Sequence, residues 1–157
     1  MINFLEQLVA EWYEFKGYFV RRNVRVGPRA KGGHEGELDI VAFNPSTKHL
    51  VHVEPSSDAY SWEKREERYR RKFATGRRYI PHLFAGLDLP PDIEQIAVLI
   101  FASRARAEIG GGKILMIADL MAEIRADLSA RSVLRAAVPE QYPLLRSLQF
   151  AAYYWKN

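Results

Sequence analysis

Gly36-Glu-Leu-Asp39-Ile-Val-Ala-Phe43-Asn-Pro-Ser-Thr-Lys-His49-Leu-Val-His-Val-Glu54-Pro-Ser56 is the stretch on which the architecture turns. Glu37–Phe43 and His49–Glu54 have strand character, and Asn44–Lys48 between them is turn chemistry. The two runs therefore form an antiparallel hairpin, and Pro55 removes a backbone donor and stops the second strand. Alternation puts Asp39, Val41 and Phe43 on one face and Leu38, Ile40 and Ala42 on the other. Leu50, His52 and Glu54 likewise share a face, opposite Val51 and Val53. A turn that sets Phe43 opposite Leu50 sets Asp39 opposite Glu54, with Cβ atoms about 4.5–5.5 Å apart. Two like charges so placed are destabilising unless a cation lies between them. The spacing suits Mg²⁺, a hard ion that takes one or two protein carboxylates and keeps waters. A register shifted by one residue would instead leave both acids at strand ends in solvent.

Working outward, residues 2–16 carry Phe4, Leu8, Trp12 and Phe15 at helical spacing, with Asn3 as cap and Gly17 as terminator. Tyr18–Val26 is a strand, and the four glycines of Gly27–Gly36 mark a loop. Ser61 caps a helix from Trp62 to about Thr75, which Gly76 ends. Ile93–Ala102 is a buried strand, Gly110–Gly112 a turn and Lys113–Ile117 a further strand. Asp119–Leu128 is a helix with an Asp cap, and Ser132–Lys156 is helical in pieces broken at Pro139 and Pro143. The order α-β-β-β-α-β-β-α predicts a single α/β domain over residues 1–157, a central mixed sheet flanked by helices.

The 157 residues, 48% hydrophobic and 27% charged, have the balance of a globular chain that needs no staples. There is no cysteine, which excludes disulfides, thiolate metal sites and cysteine nucleophiles. No apolar run approaches the roughly 18 residues of a membrane span, and the N-terminus has no basic leader, so a cytoplasmic protein without membrane contact is expected. The net charge of +4 is unevenly spread. Residues 16–31 hold six basic residues and no acid, and residues 62–78 hold eight basic residues against Glu63, Glu66 and Glu67. Positive charge gathered in two segments is a footprint for a polyanion, with a solvated face as the plain alternative. On a helical wheel Trp62, Tyr69 and Phe73 form a docking stripe, and Lys64, Arg65, Arg68, Arg71 and Lys72 fill an adjoining arc of about 120° suited to phosphates. Arg21, Arg22 and Arg25 on the first strand are the companion candidates for nucleic-acid contact. The glycine clusters lack the Gly-Lys-Ser/Thr of a phosphate loop, so they give chain that lets a polyanion approach closely. His52 shares the face of Glu54 and could join a metal site there, although a hydrogen bond beside the carboxylate is the commoner arrangement; His34, His49 and His82 follow no pattern.

The helix with Glu6 that ends at Gly17-Tyr18, the Gly36-Glu-Leu-Asp39-Ile-Val-Ala42 strand and the Leu50-Val-His-Val-Glu54 strand together resemble the PD-(D/E)XK nuclease superfamily. The flavour is that of Holliday-junction resolvases and restriction-endonuclease-like proteins, over about residues 4–75. The resemblance implies Mg²⁺- or Mn²⁺-dependent hydrolysis of phosphodiester bonds in DNA. Asp39 and Glu54 match the metal ligands, Glu6 the helix glutamate that reaches the metal through water, and the Pro55 carbonyl a main-chain ligand. It also makes a homodimer an assembly to expect, since two symmetric strands need two sites.

The departure is at position 56, where the family has lysine and this chain has Ser56. That lysine orients water and stabilises charge in the transition state, work a neutral hydroxyl does not do. Either the lysine has migrated to the following helix, with Lys64 and Lys72 as candidates, or the site is degenerate. In the second case the chain is a nuclease-fold module that binds nucleic acid or a protein partner without cutting.

Overall fold

The computed structural model describes residues 3–103 and 105–155, so the expected helix ends at residues 2 and 156 lie outside the described residues. The hairpin has the register that its turn demands. β2 (His34–Asn44) and β3 (His49–Ser56) pair antiparallel with Phe43 opposite Leu50 and Ile40 opposite Val53, which brings Asp39 beside Glu54. Asn44 shapes the turn, its Oδ1 accepting from Ser46 N at 2.9 Å and Thr47 N at 3.3 Å.

Around this pair lies a six-stranded mixed sheet in the order β1-β2-β3-β4-β6-β5. β1 (Phe19–Pro28) runs antiparallel to β2; β4 (Glu94–Leu99) is parallel to β3; β6 (Gly112–Met116) is parallel to β4; and β5 (Glu108–Ile109) is an antiparallel edge of two residues. α1 (Phe4–Phe15), α3 (Ile117–Ser129) and α4 (Pro143–Tyr154) cover one face through Leu5, Leu8, Trp12, Leu120, Ile124 and Leu145, which pack on Ile40, Ala42, Val51, Val53, Ile96 and Val98. α2 (Trp62–Tyr79) crosses the other face and seats Tyr69 and Phe73 on Ala97 and Leu99. Its continuation buries Ile80 and Phe84 against Val41, Phe43 and Leu50. The expected caps of the first two helices are in place. Asn3 Oδ1 accepts from Glu6 N at 2.9 Å, and Ser61 Oγ from Lys64 N at 3.4 Å.

Several boundaries differ from expectation for identifiable reasons. Half of Gly27–Gly36 is strand, because Val26↔Gly36 and Pro28↔His34 extend the ladder, and residues 29–33 form the tip. Pro55 does not stop β3, since its neighbours pair in parallel with β4 on the far side. Gly76 does not end α2, which continues to Tyr79. α3 starts at Ile117, so Asp119 falls in its first turn rather than at its cap. Pro143 starts the last helix instead of breaking it, as suits a residue without an N–H to satisfy. Leu38 departs from strict alternation by packing with Val24 and Val26 beside Val41. The β1–β2 ladder passes from Arg22↔Ile40 to Val24↔Leu38, and Asn23, between them and level with Asp39, has a φ of 50°. Among the described residues no helix is long and apolar enough to cross a membrane.

α4 has no side-chain cap of its own, and α1 provides one. Buried Glu11 turns Oε1 to the start of α4, accepting from Leu144 N at 2.9 Å and Leu145 N at 3.5 Å. Glu11→Ala should therefore lower unfolding free energy by about 1–3 kcal/mol in a urea titration. Glu11→Gln, which keeps a carbonyl acceptor, should recover most of that loss. Unchanged midpoints in both variants would mean that α4 docks without this cap.

Candidate active site

The Asp39–Glu54 pair sits between the sheet and α2. Glu54 is 1% exposed, and its two oxygens have different company. Oε1 accepts from Asp39 N at 3.1 Å and is 2.8 Å from His52 Nε2. Oε2 accepts from the ammonium of Lys72, which also reaches Asp39 Oδ1 at 3.2 Å. Tyr69 adds a bond from its hydroxyl to the Glu54 carbonyl at 3.0 Å. The cation that must separate two facing carboxylates is thus supplied by the chain itself.

Helix phase explains why it is Lys72. Tyr69 and Phe73 are buried on the sheet, so residue 72 lies at the margin of that stripe, where a lysine stem can run along apolar surface to the carboxylates. Lys64 lies two turns earlier, about 12 Å along the axis, and stacks its ammonium over Tyr60 at 4.0 Å. It is not part of the site. Ser56, two residues after Glu54, donates to Asp58, and Arg68 reaches the same pair, with Nη1 2.7 Å from Asp58 Oδ2 and Nη2 3.1 Å from Ser56 Oγ.

The basic candidates divide accordingly. Arg65 is buried, 3.7 Å from Asp58, and so is not a surface phosphate ligand. Arg68 is spent partly on Asp58. Arg71 is exposed and has no ion pair with another described residue. It lines, with Arg68, Lys72, Thr75, Gly36 and the two acids Glu35 and Glu37, a cavity of about 210 Å³ beside the carboxylates. The three strand arginines do not form one surface. Arg21 donates to the Leu83 carbonyl at 3.0 Å, Arg22 pairs with Glu14 on α1 at 2.9 Å, and Arg25 sits 3.6 Å from Glu37. Successive residues of a strand point to opposite faces, which separates Arg21 from Arg22.

Glu6, in the first turn of α1, accepts from Asn3 Nδ2 at 2.7 Å through Oε1, while its Oε2 is buried without a hydrogen-bond partner. Burial raises its pKa, and the charges of Lys72 and Glu54 both act on it. Among the described residues no group of three or more His, Asp or Glu is arranged to hold a metal. Two converging carboxylates with an orphaned glutamate oxygen nearby nevertheless fit Mg²⁺, which keeps most of its waters.

The charges are unequal. Burial first, and the Glu54 charge second, push the Asp39 carboxyl up to about 8 against the pull of Lys72. Burial would push Glu54 up as well, but the His52 hydrogen bond and the Lys72 charge outweigh it and hold Glu54 ionised below the usual carboxylate range. Burial works against the Lys72 ammonium, yet the two carboxylates raise its pKa above the ordinary value. The two acids are thus driven apart: Glu54 is favoured as the ionised partner of Lys72, and Asp39 is more readily protonated than an ordinary carboxylate.

No family model matches this chain, and no curated protein matches it. The crystal structure of a protein of unknown function, AF1548, is similar to it with a TM-score of 0.50 at 15% identity, over 94% of this chain and 96% of that one. At that identity the similarity shows the fold alone: α/β, with a six-stranded mixed open sheet flanked by four helices.

The unequal charges have a measurable consequence. Asp39 binds its proton more tightly folded than unfolded, so wild-type stability falls as pH rises from the ordinary carboxylate range near 4 towards 8. Asp39→Asn is neutral throughout and lacks that slope. Its melting temperature relative to wild type should climb across this window and level off above it. A difference that stays constant with pH would show that Asp39 ionises as it would in water.

Proposed function

We propose that this protein is a metal-dependent nuclease that hydrolyses phosphodiester bonds in DNA, in the manner of a PD-(D/E)XK endonuclease or junction resolvase. The observation that carries this reading is the Lys72 ammonium bridging Asp39 and Glu54. It supplies from α2 the group that Ser56 does not supply from β3. Lys64, the other candidate, lies elsewhere. Asp39 and Glu54 would hold Mg²⁺ or Mn²⁺, with Glu6 set to act through water. When bound, the ion would polarise the phosphate and lower the pKa of a water molecule towards neutrality.

The residues themselves do the rest. Lys72 holds a charged donor beside the reacting centre, where it can orient the attacking water and stabilise charge developing on phosphate oxygens. Tyr69 fixes the β3 backbone through the Glu54 carbonyl. Arg71 and the half-exposed face of Arg68 give the adjoining cavity the positive charge that a phosphate backbone needs. The Arg68–Asp58–Ser56 cluster keeps the motif serine engaged and away from the carboxylates.

The test is cleavage of duplex, single-stranded and branched DNA with Mg²⁺ or Mn²⁺. Asp39→Asn should abolish cleavage, Lys72→Met should lower the rate by about 10²–10³, and Lys64→Met should leave it unchanged. Ser56→Lys, which restores the family pattern, should not raise activity, because its charge would meet Arg68 and Lys72. A gain from Ser56→Lys, or full activity in Lys72→Met, would end the assignment of Lys72. Binding of these DNAs with no metal-dependent cleavage by wild type would leave a binding module in place of an enzyme.

Binding has its own readout. Arg71→Ala should weaken affinity for all DNA sequences alike and reduce the slope of log affinity against log salt by about 0.9, the value of one phosphate contact. An unchanged slope would assign Arg71 to solubility.

A further inference from the structure

His52, Gln95 and Arg77 are polar, interconnected and unused by the chemistry above. His52 and Gln95 are buried, on β3 and β4, and Arg77 reaches Gln95 from α2. Hydrogen-bond valence orders them in one direction. Arg77 only donates, so the Gln95 atom 2.7 Å from its Nη1 is the carbonyl oxygen. The Gln95 amide nitrogen is then the donor, to the Phe73 carbonyl at 2.8 Å and to His52 Nδ1 at 3.1 Å. Because Nδ1 accepts, the ring proton is on Nε2, which points at Glu54 Oε1 from 2.8 Å.

The helix is shaped to seat this ring. Gly76 lies inside α2, where glycine costs about 0.5–1 kcal/mol relative to alanine. A Cβ there would stand 2.6 Å from His52 Cε1, so the position admits no side chain while the ring stays put. Phe73, one turn earlier on the same helix, meets the imidazole in a T-shaped contact, with ring centroids 5.4 Å apart.

We propose that Arg77, Gln95 and His52 form a one-way hydrogen-bond relay that orients Glu54, occupying Oε1 and leaving Oε2 to the reacting side. His52 is the positioning residue that touches Glu54, and Gln95 sets its tautomer. The proposal rests on the reading of Asp39 and Glu54 as ion-binding groups. It explains why Oε1, with donors from both Asp39 N and His52, differs from Oε2, which faces Lys72. Groups that orient a metal-binding carboxylate from behind commonly alter metal affinity by about 10–100-fold when removed.

Two measurements on the whole chain test it. Nitrogen NMR of the histidine rings should show wild-type His52 protonated at Nε2 alone. Mn²⁺ affinity, read from the resonance of the free ion, should fall by about 10-fold in Gln95→Glu. In that variant the carboxylate accepts from the ring, and the proton moves to Nδ1. His52→Gln, whose amide can still donate to Glu54, should retain affinity within about threefold, whereas His52→Met should lose about 10-fold. A wild-type ring protonated at Nδ1 overturns the relay whether or not the variants fold. Mn²⁺ affinity in Gln95→Glu and His52→Met within twofold of wild type overturns it as well. If wild type binds no Mn²⁺ that Asp39→Asn removes, the hydrolytic reading falls, and the tautomer alone decides the relay.

Discussion

A carboxylate with 1% of its surface in water must have both oxygens matched, or it will not stay ionised, and Glu54 is matched on both. Each partner comes from a different element. The Asp39 peptide comes from β2, His52 from β3 itself and Lys72 from α2. The central strand, its antiparallel neighbour and the crossover helix are therefore tied at one charged point as well as through apolar contact. A buried ionic group of this kind is weak evidence for stability, since the desolvation of the charged groups offsets much of their attraction. Its contribution is geometric, in that it fixes how α2 lies along β3.

The raised pKa of Asp39 shows the same tension from the other side. Two acids and one base cannot all be charged without leaving a net charge in a partly dry site, and burial with the Glu54 charge accordingly favours a proton on Asp39. Two acids and an ammonium held this closely in a buried place are an uncomfortable arrangement for the fold. Substitutions that relieve the discomfort stabilise a fold while weakening its site, a common trade between stability and function.

How far the sequence reveals this depends on whether a feature is local. The Asp39–Glu54 pairing follows from counting across a short turn between two alternating strands, and Asn44 enforces the count with its side chain. That Lys72 rather than Lys64 meets the pair is not a local property. A helical wheel gives angle but not height, and the height of α2 is set by the loop that carries Asp58 and by the Gly76–His52 contact. Arg65 was placed on an exposed arc by angle alone, and Asp58 draws it inward. Glycine is a common helix terminator, whereas the role of Gly76 is close packing against a ring on another element. Gln95 carries no local signal within an otherwise apolar run, because its partners Arg77 and His52 are 18 and 43 residues away in sequence.

The left-handed residue opposite Asp39 affects more than the site. β1 is a ten-residue strand at the open margin of the sheet, long enough to template another chain. Margins of this kind invite strand addition and aggregation unless they are bent or charged. Asn23, with its φ of 50°, interrupts the strand at mid-length, and Arg21 and Arg25 stand exposed on either side of the interruption. At the opposite margin β5 has only two residues to offer. Intermolecular sheet growth is thus opposed at both ends, by a kink and by brevity, and the kink lies level with the residue that the site most needs to hold in place.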